Sequence, residues 1–110
     1  MGNFATIGSY AGHNLIHILL NNEVHDSTGG QATVGGNVDF LKVAEASGYS
    51  VCLSSNEIDI IDKLFNIEPQ DGPVFAHLRI ASGTIGDLPR PNITPSKVLN
   101  RLMKHINSSF

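Results

Sequence analysis

Apolar positions along this chain fall in short unbroken runs, separated by polar stretches rich in glycine. Residues 15–20 (LIHILL) are almost continuously apolar and stop at Asn21-Asn22. A run this short and partly β-branched predicts a parallel strand covered on both faces. A polar, glycine-rich segment follows from Glu23 to Gly36. Asp39 then precedes Phe40, Val43 and Ala44, apolar at helical spacing, and Ser47-Gly48 closes that helix. Residues 49–53 predict a second short strand. Asn56 stands as the N-cap of a helix whose Ile58, Ile61 and Phe65 share a face, with Pro69 beyond its end. Residues 73–80 (PVFAHLRI) predict a third strand, and residues 81–93 a loop rich in Gly and Pro. Thr94-Pro95 joins an N-cap to a proline at the first helical position. The helix it opens carries Val98, Leu99, Leu102, Met103 and Ile106 on one face. Residues 1–10 predict a further helix, weakened by Gly2 and Gly8. Strands alternating with helices at this spacing imply βαβ units. The expected fold class is therefore α/β, a three-layer α/β/α arrangement with a parallel sheet and right-handed crossovers.

Composition narrows the function classes. At 110 residues, 41% apolar and 15% charged, the chain suits one globular domain rather than a disordered segment. A net charge of −3 without Lys/Arg-rich runs argues against a nucleic-acid partner. No Lys or Arg occurs before Lys42, which suits a buried sheet segment better than a solvated surface. The single cysteine, Cys52, excludes an internal disulfide and a thiolate zinc cluster, and its apolar neighbours read as core. No stretch approaches the ~20 apolar residues of a membrane span. The start lacks the basic region of a signal peptide, so a cytoplasmic protein is the expectation.

Candidate chemistry concentrates after the first strand. Ligands of open parallel sheets bind beyond the carboxyl ends of the strands. Asn21-Asn22 sits at such an end, and Glu23-Val24-His25-Asp26-Ser27-Thr28-Gly29-Gly30-Gln31 continues outward. Asn side chains and loop carbonyls are hard oxygen donors suited to Mg²⁺, an ion that usually also meets phosphate oxygens. Asn-Asn after a strand serves a simple turn at least as well. Other constellations carry less. Along extended chain, His13 and His17 stand roughly 13 Å apart at ~3.3 Å per residue, too far to share a metal. His17 reads instead as a core histidine satisfied by a polar neighbour. His25, Asp26 and Ser27 are sequence neighbours, whereas the partners of a catalytic triad come from separate elements. Gly29-Gly30 and Gly35-Gly36 lack the spacing of a dinucleotide fingerprint. Arg79 stands near the end of the third strand as a surface residue. Arg90, in the following loop, lies on the carboxyl side of the sheet, where a cationic group could meet an anionic substrate. Structural or interface use is the simpler reading of both.

The string from Leu19 to Gln31 resembles the metal-binding segment of thiamine-diphosphate enzymes. In those enzymes one strand ends in Gly-Asp-Gly and a second, after a helix, ends in Asn-Asn. Residues 25–31 resemble phosphonopyruvate decarboxylases in particular and sulfopyruvate decarboxylases more loosely. Residues 1–8 are similar to the helix that follows Gly-Asp-Gly. Val38-Asp39-Phe40, Ala46-Ser47-Gly48-Tyr49 and Asp87-Leu88-Pro89-Arg90-Pro91 extend the likeness along nearly the whole chain. Gly-Asp-Gly itself is absent, and the sequence begins just after the place it would occupy. The resemblance therefore implies a C-terminal part, residues 1–110, of the diphosphate-binding domain, inactive alone. A pyrimidine-binding domain would come from the parent protein or a separate subunit.

The resemblance further implies the strand order, with the Asn-Asn strand beside the 73–80 strand and that one beside the 49–53 strand. It implies thiamine diphosphate and Mg²⁺ as cofactors. Asn22 would give the metal a side-chain ligand and Val24 a carbonyl. Thr28 and Gly29 would lie near the cofactor, and His25 and Asp26 would face the reacting centre. The implied reaction is decarboxylation of a small anionic 2-oxoacid, 3-phosphonopyruvate, to phosphonoacetaldehyde and CO₂, in a homo-oligomer. Sulfopyruvate decarboxylase or an acetolactate-synthase-like enzyme is the alternative within the class. A non-catalytic α/β binding or assembly module is the alternative outside it.

Overall fold

The computed structural model describes residues 2–68 and 71–108. Its elements are α1 (Asn3–Tyr10), β1 (Ile16–Asn21), β2 (Val24–His25), β3 (Gln31–Ala32), α2 (Phe40–Ala46), β4 (Val51–Ser55), α3 (Ile60–Phe65), β5 (Val74–Arg79) and α4 (Pro95–Ser108). Short 3₁₀ turns occupy Asp26–Thr28 and Gly35–Asn37. The main sheet is parallel with order β1-β5-β4, the order the resemblance implies. β2 and β3 form a separate antiparallel pair beyond the end of β1.

Because side chains alternate along a strand, β5 divides the core in two. Val74, Ala76 and Leu78 face α3, where Ile60 and Leu64 complete one buried cluster. Phe75 points the other way, toward α1 and α2, and packs with Phe4, Ala44 and Tyr49. The sheet thus has helices on both faces, as a three-layer α/β fold requires. Phe75 is fully buried, and interment of a side chain that size stabilises by about 1.5–3 kcal/mol. Its ring meets Phe4 edge-on at 5.4 Å and His17 at 5.3 Å.

Gly8 has a packing reason. A Cβ there would collide with the Ser47 carbonyl, so the two backbones touch where α1 crosses the end of α2. Gly48 answers from the other side with a left-handed φ of 96°, and its own Cβ would lie 3.3 Å from the Gly8 carbonyl oxygen. The helix-weakening glycine is therefore the residue that admits the crossing.

Two expectations need correction. α3 starts at Ile60 with Asp59 before it, not after an Asn56 cap. The Ser55 side chain accepts the Glu57 N–H at 2.9 Å and turns the chain first. That delay rotates the helix: Ile60 and Leu64 are buried, while Ile58 and Phe65 are exposed. Pro69 lies outside the described residues. α4 begins as expected, with Thr94 Oγ1 accepting from the Lys97 N–H at 3.4 Å. Its apolar stripe, however, meets no core, and no residue of α4 is buried. Among the described residues no helix is long and apolar enough to cross a membrane.

Candidate functional site

The loop after β1 is shaped by two consecutive Asx turns. Asn21 Oδ1 accepts the Glu23 N–H at 3.0 Å, and Asn22 Oδ1 accepts the Val24 N–H at 3.3 Å. Glu23, between them, takes a left-handed φ of 60°, a conformation that costs an L-residue about 1–3 kcal/mol and needs such support. The turn reading of Asn-Asn is what the hydrogen bonds display, and the turn leaves both side-chain amides at the carboxyl end of the sheet.

Val24 lies where the ladder leaves its carbonyl unpaired. The Glu23 carbonyl accepts the Thr33 N–H at 2.8 Å, and the His25 carbonyl accepts the Gly30 N–H at 3.0 Å. Hydrogen-bonded and non-bonded pairs alternate in an antiparallel ribbon. The Val24–Ala32 pair is therefore the non-bonded one, and the Val24 carbonyl points away from β3, on the side where its N–H meets Asn22. Two hard oxygens, Asn22 Oδ1 and Val24 O, thus share one side of the loop. They suit Mg²⁺ in kind, although both are neutral.

The remaining expected residues are spread around this turn. Asp26 Oδ2 accepts from Asn22 Nδ2 at 2.8 Å and from the Gly83 N–H at 3.1 Å, tying the loop after β1 to the loop after β5. The His25 side chain is exposed, while its carbonyl also accepts from Thr28 Oγ1 at 3.3 Å. Gly29 and Gly30 close the turn with φ of 117° and 76°, a sequence of left-handed residues that only glycine adopts freely. Thr28 exchanges bonds with the Gln31 side chain. Asn22, Val24 and Asp26 are therefore brought together. His25, Thr28 and Gly29 sit on the outer rim.

His17 is the core histidine expected of it. Its Nδ1 lies 2.7 Å from the Tyr49 hydroxyl, and burial lowers its pKa below the ordinary value. His13 is exposed in the preceding turn. Among the described residues no group of His, Cys, Asp and Glu side chains could hold a metal by itself. Cys52 packs half-buried against the Phe75 cluster, and burial, with Glu45 second, pushes its thiol up.

A second feature was not foreseen. On the α2 face of the sheet, at the carboxyl ends of β4 and β5, lies a cleft of about 420 Å³. Asn37, Asp39, Ser54, His77 and Arg79 contribute its polar lining. His77 is 5% exposed, packs edge-on against Phe40 at 5.3 Å, and touches Asn21 Nδ2 through Nε2 at 3.1 Å. Burial first, then the Arg79 charge, hold its pKa below the ordinary value, against smaller raising effects of Glu23 and Asp39. Asp39 caps α2 through the Lys42 N–H, a bond that lowers its carboxyl pKa, and pairs with Lys42 Nζ at 3.3 Å. The signal available in the sequence was the alternation Phe75, His77, Arg79, which turns polar toward the ligand end of the strand.

No family model matches the sequence. The chain is 39% identical over 109 residues, 98% of its length, to a phosphonopyruvate decarboxylase of Streptomyces viridochromogenes. It is 39% identical over 102 residues, 92% of its length, to the phosphonopyruvate decarboxylase of Streptomyces hygroscopicus. It is also 28% identical over 109 residues to a sulfopyruvate decarboxylase subunit beta of Methanothermobacter thermautotrophicus. The chain spans 28% and 25% of the length of the two Streptomyces proteins and 56% of the subunit.

Proposed function

From its homology to phosphonopyruvate and sulfopyruvate decarboxylases, we propose that this chain contributes half of a thiamine-diphosphate site to a 2-oxoacid decarboxylase. The substrate is 3-phosphonopyruvate and the products are phosphonoacetaldehyde and CO₂. The observation that carries this reading is the 39% identity across 98% of the chain. The oxygen pair of Asn22 and Val24 at the carboxyl end of β1 supports it.

Asn22 Oδ1 and the Val24 carbonyl would hold Mg²⁺, which in turn would meet diphosphate oxygens. Bound thiamine diphosphate supplies the electron sink for loss of CO₂. The residues of this chain bind and orient. Asp26 fixes the amide of Asn22 and ties down the loop at Gly83, so the metal-side oxygen is presented in one direction. Thr28 and the Gly29 backbone lie on the rim, where a diphosphate can approach without meeting a side chain at Gly29. His25, exposed beside Asp26, is available to the substrate.

A second reading, sulfopyruvate decarboxylation, draws on the match to the subunit beta. The two are separated by supplying phosphonopyruvate and sulfopyruvate side by side to the intact gene product, with Mg²⁺ and thiamine diphosphate, and identifying the aldehyde. Phosphonoacetaldehyde is the expected product. Sulfoacetaldehyde alone would favour the second reading, and no Mg²⁺-dependent cofactor binding would overturn both.

A further inference from the structure

The cleft beside β5 has chemistry of its own, independent of cofactor or metal. A backbone N–H can only donate, so the Asn21 atom that meets the Glu23 N–H must be Oδ1. The amide is thereby oriented, and its NH₂ group faces His77 Nε2 at 3.1 Å. An NH₂ group can only donate as well. His77 Nε2 is therefore the unprotonated acceptor, and the ring proton resides on Nδ1.

Nδ1 has no hydrogen-bond partner among the described residues, yet no buried side-chain nitrogen or oxygen is left unsatisfied there. His77 is 5% exposed and lines the cleft. Nδ1–H is therefore not sealed off from solvent, and the cleft is the space that His77 lines. Ser54 is the register partner of His77 across β4, so its hydroxyl stands on the same face. Arg79, two residues on and again on that face, is exposed and has no ion-pair partner among the described residues. The Asp39 carboxylate on the rim is already engaged by Lys42.

We propose that this cleft is a subsite for a small oxyanion, with His77 as a neutral Nδ1–H donor fixed in that tautomer by Asn21, beside Ser54 and the Arg79 guanidinium. Arg79 and Lys42 roughly balance Asp39 and Glu23. Directed donors rather than net charge select the ligand, and affinity for a bare anion is on the order of millimolar.

Nitrogen-detected NMR of the ¹⁵N-histidine-labelled chain tests this, with His77→Gln to identify the signal. Above neutral pH the His77 ring should show protonated Nδ1 and bare Nε2, and inorganic phosphate should shift its resonances saturably. Asn21→Asp replaces the donor by a carboxylate. The tautomer should reverse to Nε2–H, and the response to phosphate should fall about tenfold or more. Arg79→Gln, an exposed substitution that spares the core, should weaken phosphate to a similar extent and leave the tautomer unchanged. An Nε2–H tautomer in the unsubstituted chain, or His77 resonances indifferent to phosphate, would overturn the proposal. Phosphate affinity in either variant equal to that of the unsubstituted chain would do the same. Neither cofactor nor turnover enters the measurement, so its failure is distinct from failure of the decarboxylase reading.

Discussion

At the scale of single residues, the two adjacent asparagines do different work. Asn22 offers Oδ1 on the side of the Val24 carbonyl, whereas Asn21 is turned back to His77 and the Glu23 N–H. In the intact protein, Asn22→Ala should weaken Mg²⁺-dependent thiamine-diphosphate retention by at least about tenfold more than Asn21→Ala, as loss of a ligand exceeds loss of a supporting group. Calorimetric titration of both variants decides it, and equal losses would mean that the register is wrong. His17 gives a pH prediction. Burial depresses its folded pKa below the ordinary 6.5, so the unfolded chain binds more protons between the two values. The stability it contributes is complete above 6.5 and is lost as pH falls through the depressed folded value. Urea midpoints should therefore drop on acidification across that window, and His17→Gln should flatten the drop.

Elements show where packing overrules local preference. In an exposed helix, Gly→Ala usually stabilises, by about 0.5–1 kcal/mol. Gly8→Ala should instead destabilise by about 1–3 kcal/mol, because the added methyl meets the Ser47 carbonyl. Urea unfolding gives the sign directly. The same contrast separates what was legible in the sequence from what was not. Strands β1 and β5 stood out because a parallel strand covered on both faces has few polar positions to blur it. Asp39 and Thr94 announced their helices because each caps the N–H three residues on. α3 was misplaced because Ser55 took the first free N–H, and nothing in the spacing of Ile58, Ile61 and Phe65 reveals that competition. Similarly, Asn22 and Val24 were singled out as candidates only through likeness to a known loop. His77 was missed because its partner Asn21 is 56 residues away in sequence, and only the sheet register joins them.

For the whole molecule, the outer side of β1 decides behaviour in solution. β1 pairs with β5 alone, and its other edge has no partner strand among the described residues. Leu20 on that strand is 58% exposed. Open apolar edges recruit further strands, so light scattering after size exclusion should report a mass above that of one chain. Leu20→Lys should move the mass toward a single chain, and a monomer with β1 protected from hydrogen exchange before that substitution would contradict the expectation. The central place of β5 has a further consequence, one of timing. β1 and β4 do not pair with each other; each waits for the strand between them, which is the last of the three to leave the ribosome. Among the strands described here, a nascent chain that has not yet reached Val74 can form no ladder of the main sheet, and β1 and β4 lack the strand that joins them until β5 slips in as a wedge. Long-range pairing of this kind is slow and leaves the early chain open to aggregation. A polypeptide ending at residue 72 should accordingly lack protected strand amides, and residues 73–80 supplied as a separate peptide should restore them.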